Sequence, residues 1–208
     1  MLSNAILSSY LTETQTPEPK ETLVRKPKAL PLRFHSDPIL TRVCDPIGEL
    51  TPELRALAYD MILTLMVEGG LGLAAPQVGT PLRLIVLDEG SCKGGEPNHT
   101  VIFNPSFEPI EDLDGFGEHD SLEGCLSLPR ASAKVKRYRA VRVRGLDLNG
   151  YGCSFEARRT LSAVVQHEVD HLNGITIASK VSTYDMMMAK KAIKLALRRQ
   201  KAEAKKRR

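Results

Sequence analysis

Apolar residues recur at three- and four-residue steps through Leu54, Leu57, Ala58, Met61, Ile62, Leu65 and Met66, which is one face of a helix. Thr51 before Pro52 supplies an N-cap hydroxyl and a first-turn proline, and Gly69-Gly70 ends the run. The period then changes. LRLIVLD (82–88) and TVIFNP (100–105) are short strand-like runs, and KVKRYRAVRVRGLDL (134–148) alternates basic and apolar residues as a strand with one wet face does. The turn pair Asn149-Gly150 leads into a further short strand over 152–157. LSAVVQHEVDHLNG (161–174) returns to helical spacing, with Leu161, Val164, Val165 and Leu172 apolar and Asn173-Gly174 as its stop. Met186, Ala189, Ile193, Ala196 and Leu197 place an amphipathic helix near the C-terminus. Helix and strand signals are interspersed without a repeating βαβ unit or an internal repeat. The expected fold is therefore α+β, with mixed or antiparallel sheets around a central helix over 161–172 and a C-terminal helix.

Composition adds little to this frame, but charge adds more. The 208 residues are 42% hydrophobic and 26% charged, ordinary for one soluble globular domain. Residues 1–30, with Pro17, Pro19 and Pro27 among polar residues, read as a flexible leader; 31–185 as the catalytic domain; and 186–208 as a basic helix and tail. Ten of the 29 Lys+Arg lie in 190–208 beside the single acid Glu203, so the rest of the chain carries a net −5. The tail reads either as a solvated terminus or as an electrostatic foot for an anionic surface such as ribosomal RNA. No run approaches the about 20 apolar residues that cross a bilayer, so no membrane partner is expected. The first thirty residues lack a secretory pattern, and Glu13, Glu18 and Glu21 precede the first arginine, Arg25, which fits a transit peptide poorly. A cytoplasmic location is expected, with an organelle reached through the leader as the alternative. Cys44, Cys92, Cys125 and Cys153 form no C-x-x-C pair and read as reduced thiols.

The stretch GGLGLAAPQVG (69–79) contains Gly70-x-Gly72-x-x-Ala75, the spacing of a dinucleotide-binding loop. A phosphate cradle needs a strand entering and a helix leaving; here a helix enters and a strand leaves. No nucleotide cofactor is expected. The glycines instead imply a backbone approached closely, with the Gln77 amide nearby.

The strongest chemical signal is QHEVDH. On a helix, His167 and His171 project from one face, four residues apart, as two imidazoles on one metal do, with Glu168 beside the first. A catalytic site needs a third ligand and one open position. A metzincin protease would place a histidine at 177, which is Ile177; a thermolysin-like enzyme would place a glutamate on a later helix, and after Asp170 the only acids are Asp185 and Glu203. Upstream, EGCLSLP (123–129) offers Cys125 as a thiolate. A zinc endopeptidase of the His-Glu-x-x-His type remains the alternative activity, and a non-catalytic ribosome-binding module with a closed structural metal site is a third reading.

GLGLAAPQ (70–77), EGCLSLP (123–129) and QHEVDH (166–171), in that order, closely resemble the three signature motifs of the peptide deformylases, and the resemblance covers roughly residues 31–200. It implies that Cys125, His167 and His171 bind the metal and that Glu168 is the general acid/base. It further implies that the Gln77 amide and the Leu126 backbone N–H contact the formyl oxygen. The implied substrate is the N-formyl-methionyl end of a nascent polypeptide, and the products are formate and a free N-terminus. The implied metal is Fe2+, with Ni2+, Co2+ or Zn2+ able to replace it. Gly70, Gly72, Glu123 and Gly124 are assigned to the peptide path. Leu71, Ala163 and Val164 are assigned to an apolar slot for the methionine, with plain core packing as the competing reading. One departure concerns Ser132, where many relatives carry an arginine near the peptide; Arg130 and Arg137 are the candidates to replace it. His119 reads as a surface residue.

Overall fold

A computed structural model describes residues 25–110 and 117–206. The first helix, α1 (Pro52–Glu68), is capped as its sequence implies: the Thr51 hydroxyl accepts from the Leu54 N–H at 3.4 Å, and Gly69 closes the helix at φ 68°. β1 (Gly72–Ala74) follows at once, then β2 (Leu84–Asp88), a single helical turn α2 (Glu89–Cys92), and β3 (His99–Pro109). β4 (Glu118–Gly124), β5 (Ser132–Tyr138), β6 (Ala140–Leu146) and β7 (Gly152–Arg158) precede α3 (Arg159–Leu172), and α4 (Thr183–Lys206) ends the described chain.

Two antiparallel sheets result, one ordered β1-β2-β3-β6-β7 and the other a β4-β5 hairpin. The larger sheet is buried on both faces at β1 and β2, which is why LIVLD is a continuous apolar run rather than an alternating one. Leu84 and Val86 share a cluster with Ala58, Met61 and Leu65 of α1, whereas Ile85 and Leu87 pack with Leu161, Val165, Val169 and Leu172 of α3. The helix bearing His-Glu-x-x-His is thus central, held against β1, β2, β5, β6 and β7.

Several local expectations change. The run 134–148 is not one strand: it breaks at Arg139 into β5 and β6, which belong to different sheets. The buried phase Val135, Arg137 is interrupted at the exposed Arg139 and resumes at Val141 and Val143, and one more arginine on a basic stretch does not mark a break. β1 and β4 lie where no strand was expected. The leader lies outside the described residues through residue 24. Its end does not: the Arg25 guanidinium is paired with the buried Asp60 carboxylate, Lys28 N–H donates to Asp60 Oδ1 at 2.8 Å, and Leu30 N–H donates to Thr64 Oγ1 at 2.9 Å. At the other end Ala189 and Ile193 of α4 are buried in the α1 cluster, and Gln200 Nε2 donates to the Leu32 carbonyl at 3.2 Å. The C-terminal helix is docked on the core through that point. Among the described residues, no helix is long and apolar enough to cross a membrane.

Candidate active site

α3 presents His167 and His171 on successive turns, with ring centroids 5.0 Å apart. Cys125 follows directly on β4, and its Sγ lies 3.2 Å from His171 Nε2. The three donor atoms lie within 4.8 Å of one another. Sulfur and nitrogen ligands about 2.3 and 2.0 Å from one tetrahedral ion stand roughly 3.5 Å apart, so these residues fit a metal without rearrangement of the backbone. The donor set, one thiolate and two imidazoles, suits a divalent transition metal. Burial pushes the Cys125 thiol up, but the charge of His171 and hydrogen bonds from both imidazoles outweigh it and bring the thiol down to about 5. Burial pushes His167 down, and its hydrogen bonds to Cys125 and Glu123 more than reverse that, raising it well above its ordinary value. The proton that this thiolate–imidazole cluster carries is the one a metal ion displaces.

Behind His167 stands a chain of charges. His167 Nδ1 lies 3.0 Å from Glu123 Oε2, which leaves Nε2 for the thiol side. Arg137 donates to both Glu123 oxygens, through Nε at 2.8 Å and Nη2 at 3.0 Å, and its Nη1 donates to Asp170 Oδ2 at 2.6 Å. Burial raises the Glu123 pKa, yet hydrogen bonds from His167 and Arg137 hold it down at about 2. Glu123 lies on the cleft lining with both carboxylate oxygens engaged, Oε1 by Arg137 and Oε2 by Arg137 and His167. Arg137 is likewise not available to replace an arginine at 132, being only 6% exposed and fully occupied. The signal was present in the sequence, since Arg137 falls in phase with the buried Ala133 and Val135 of β5.

Glu168, buried next to His167, has its carboxyl raised by burial to about 7, despite the opposing pull of His167 and His171. Its Oε2 makes no hydrogen bond within the protein. Gly72 explains how it fits: a Cβ there would stand 2.5 Å from Glu168 Oε1 and 2.7 Å from Val164 Cγ1. At Gly70 a Cβ would meet Leu126 and Leu65 Cδ1, each at 2.9 Å. At both glycines the protein's own side chains approach the backbone closely. Gln77, 1% exposed, accepts from the Ala74 N–H through Oε1 at 2.7 Å. That bond turns Nε2 toward Cys125 Sγ, at 3.7 Å, and Ser127 Oγ, at 3.2 Å. Ser127, which the sequence did not single out, completes this anchor. The Leu126 N–H makes no hydrogen bond among the described residues.

Gln77, Glu123, Cys125, Leu126, His167 and Glu168 line one cleft of about 1630 Å³, with His171, Ser127 and Arg137 behind that lining. Gly70, Leu71, Gly72 and Gly124 line it, as do Ala163 and Val164 from α3 and Met188 and Leu195 from α4. β1 is an edge strand of the larger sheet and contributes Gly72 to the lining. Arg130 lies on the lining, and so does His119, whose Nδ1 is 3.0 Å from the Arg137 carbonyl.

Two imidazoles one helical turn apart, a thiolate facing them, and a buried carboxylate beside a cleft define a mononuclear metallohydrolase. Comparison with known proteins narrows the class. Residues 29–187 match the family described as polypeptide deformylase. The chain is 39% identical over 165 residues to the peptide deformylase of Thermodesulfovibrio yellowstonii, covering 79% of this chain and 96% of the relative. It is 39% identical over 171 residues to that of Brucella suis, covering 81% and 94%. The crystal structure of a peptide deformylase from Legionella pneumophila superposes with a TM-score of 0.69 at 32% identity, covering 83% of this chain and 97% of that one. A Synechococcus elongatus peptide deformylase in complex with actinonin gives 0.67 at 30% identity, covering 81% and 91%. The chain belongs to the polypeptide deformylase family.

Proposed function

We propose that this chain hydrolyses the N-formyl group from the formyl-methionyl end of newly made polypeptides, releasing formate. The observation that carries this reading is the cluster of Cys125, His167 and His171 with the buried, unpaired Glu168 carboxylate and the Gln77 amide nitrogen beside it. A divalent metal held by the three ligands would supply Lewis acidity, lowering the pKa of water toward about 7 and polarising a carbonyl oxygen. Fe2+ is the proposed resident ion, with Ni2+, Co2+ or Zn2+ able to substitute.

The protein's own groups do the rest. Glu168 accepts the proton of the attacking water and returns it to the leaving amine, which needs it because an amide anion is a very poor leaving group. A carboxyl raised to about 7 is suited to both halves of that transfer. The Gln77 Nε2–H and Leu126 N–H donate to the formyl oxygen as charge develops on it, and removing one such donor typically costs about 10²–10³ in rate. Glu123, gripped by Arg137, fixes the ring of His167 and the nitrogen it offers to metal. The peptide runs past Gly70, Leu71 and Gly72 along the β1 edge, with Gly124 on the facing wall, and Leu71, Ala163 and Val164 receive the methionine side chain.

Protein purified without oxygen and loaded with Fe2+ or Ni2+ is expected to release formate from formyl-Met-Ala-Ser and to leave an unformylated peptide uncut. Internal cleavage of the unformylated peptide, without formate release, would instead support the zinc endopeptidase. The basic α4 is proposed to meet ribosomal RNA through cations on its outer side, such as Lys190, Lys194 and Arg198, in the cytoplasm or in an organelle that translates with formyl-methionine. Because Ile193 is buried, truncation would confound that test. Neutralising Lys190, Lys194 and Arg198 together is expected to weaken co-sedimentation with ribosomes and to flatten its dependence on salt; unchanged binding would return the tail to a solvated terminus.

A further inference from the structure

The cleft holds far more than a formyl-methionine. Small-molecule sites typically occupy roughly 300–1,000 Å³, and about 1630 Å³ leaves room for several residues of peptide downstream of the reacting end. What lines that extra room is strongly cationic. Arg130, Arg139 and Arg159 face the cleft from the core, and Lys191 and Arg199 face it from α4. All five are exposed, and none forms an ion pair among the described residues. Of the acids on the same lining, Glu123 and Glu168 are buried in the metal cluster, and only Glu68 and Glu203 remain exposed.

The backbone carries a second trace of the same arrangement. Three non-glycine residues among those described adopt positive φ, and two of them are cleft arginines, Arg130 at 63° and Arg159 at 53°. The third, Asn104 at 50°, is a residue type at home there, and its side-chain amide is tied to the Ile47 backbone. At Arg130 and Arg159 glycine would be the unstrained residue, so each arginine sits at a backbone cost. Arg159 and Arg139 are also neighbours, the Arg159 N–H donating to the Arg139 carbonyl at 2.9 Å, so that two guanidinia leave the core from adjacent points.

We propose that Arg130, Arg139 and Arg159 make this cleft selective for formyl peptides carrying acidic side chains downstream of the methionine. The inference rests on the deformylase reading and deepens it. An anionic peptide is favoured over RNA because these cations line the concave path that ends at Cys125 and Glu168, whereas Lys190, Lys194 and Arg198 of α4 are off that lining.

The test is formate release by the metal-loaded full chain from three peptides, formyl-Met-Ala-Ala-Ala, formyl-Met-Ala-Glu-Glu and formyl-Met-Ala-Lys-Lys, at low and high salt. Exposed charge pairs each contribute at most about fivefold, so the acidic peptide is expected to exceed the basic one by about tenfold in kcat/KM, through KM, and to lose that lead in high salt. Arg139→Ala combined with Arg159→Gly is expected to bring the two charged peptides close to parity. Arg139→Glu combined with Arg159→Glu is expected to invert the order, a gain on the basic peptide that misfolding cannot produce. Equal turnover of all three peptides by the unaltered chain would overturn this inference and leave the deformylase reading standing; no formate from any of them would overturn that reading itself. Arginine variants that lose ribosome binding while keeping the acidic preference would assign these residues to RNA and overturn the proposal.

Discussion

Replacing Gly72 with alanine tests the packing of the site more sharply than removing any of its polar groups. The added Cβ would stand 2.5 Å from Glu168 Oε1, 2.7 Å from Val164 Cγ1 and 2.8 Å from Glu168 Cγ, where ordinary contact begins at 3.4 Å. Relief requires the carboxylate to move by about 1 Å, and misplacement on that scale costs on the order of 10²-fold in rate. The same overpacking is expected to destabilise the fold by about 1–3 kcal/mol, lowering Tm by roughly 2–12 °C for a domain of this size. The assay is formate release resolved into kcat and KM, with metal content and a thermal melt on the same sample. Because the ligands are untouched, metal content should hold while kcat falls. Gly152→Ala is the control: nothing lies within 4 Å of its Cβ position, so activity and Tm should both be retained. Full kcat in Gly72→Ala would show that the position of Glu168 does not matter as argued.

The remaining predictions concern the charges around the metal. Glu123→Gln should loosen metal binding by about 10–100-fold through the freed His167 ring, measured by competition with a chelator; unchanged affinity would remove Glu123 from its positioning role. Arg137→Met leaves the Glu123 and Asp170 carboxylates without their shared partner and should destabilise the protein by about 3–5 kcal/mol in denaturant titration. In metal-free protein the Cys125 thiol, held near 5, should alkylate readily at pH 6, whereas Cys92, pushed up by burial to about 11, should not. The sign follows for loading: the thiolate is present above about pH 5 and is lost as pH falls through it, so metal should be released on acidification through that range.

The two histidines of the candidate metal site were legible because their signal is local. Two histidines four apart on one helix fix their own geometry, and the flanking caps and apolar positions fix the helix. The glycine loop was legible only as a close approach; what approaches, Glu168 from a helix nearly a hundred residues later, depends on tertiary packing. Strands β1 and β4 escaped notice for different reasons. β1 is three residues long, and β4 mixes polar and charged residues because one face of the hairpin is exposed. The split of 134–148 into two sheets was hidden because the residue at the break, the exposed Arg139, is one more basic residue on a basic stretch. Arg137 was misread because a basic residue on a basic strand passes for surface, although its parity with Ala133 and Val135 marked it as buried.

The central claim is that a metal held by Cys125, His167 and His171 works with Glu168 as the proton carrier on a formyl amide. Glu168→Ala, purified without oxygen beside the unaltered chain, tests it with formyl-Met-Ala-Ser. The account predicts equal metal content in both proteins and a fall in formate release of about 10²–10⁴-fold in the variant. Equal turnover with equal metal would contradict it.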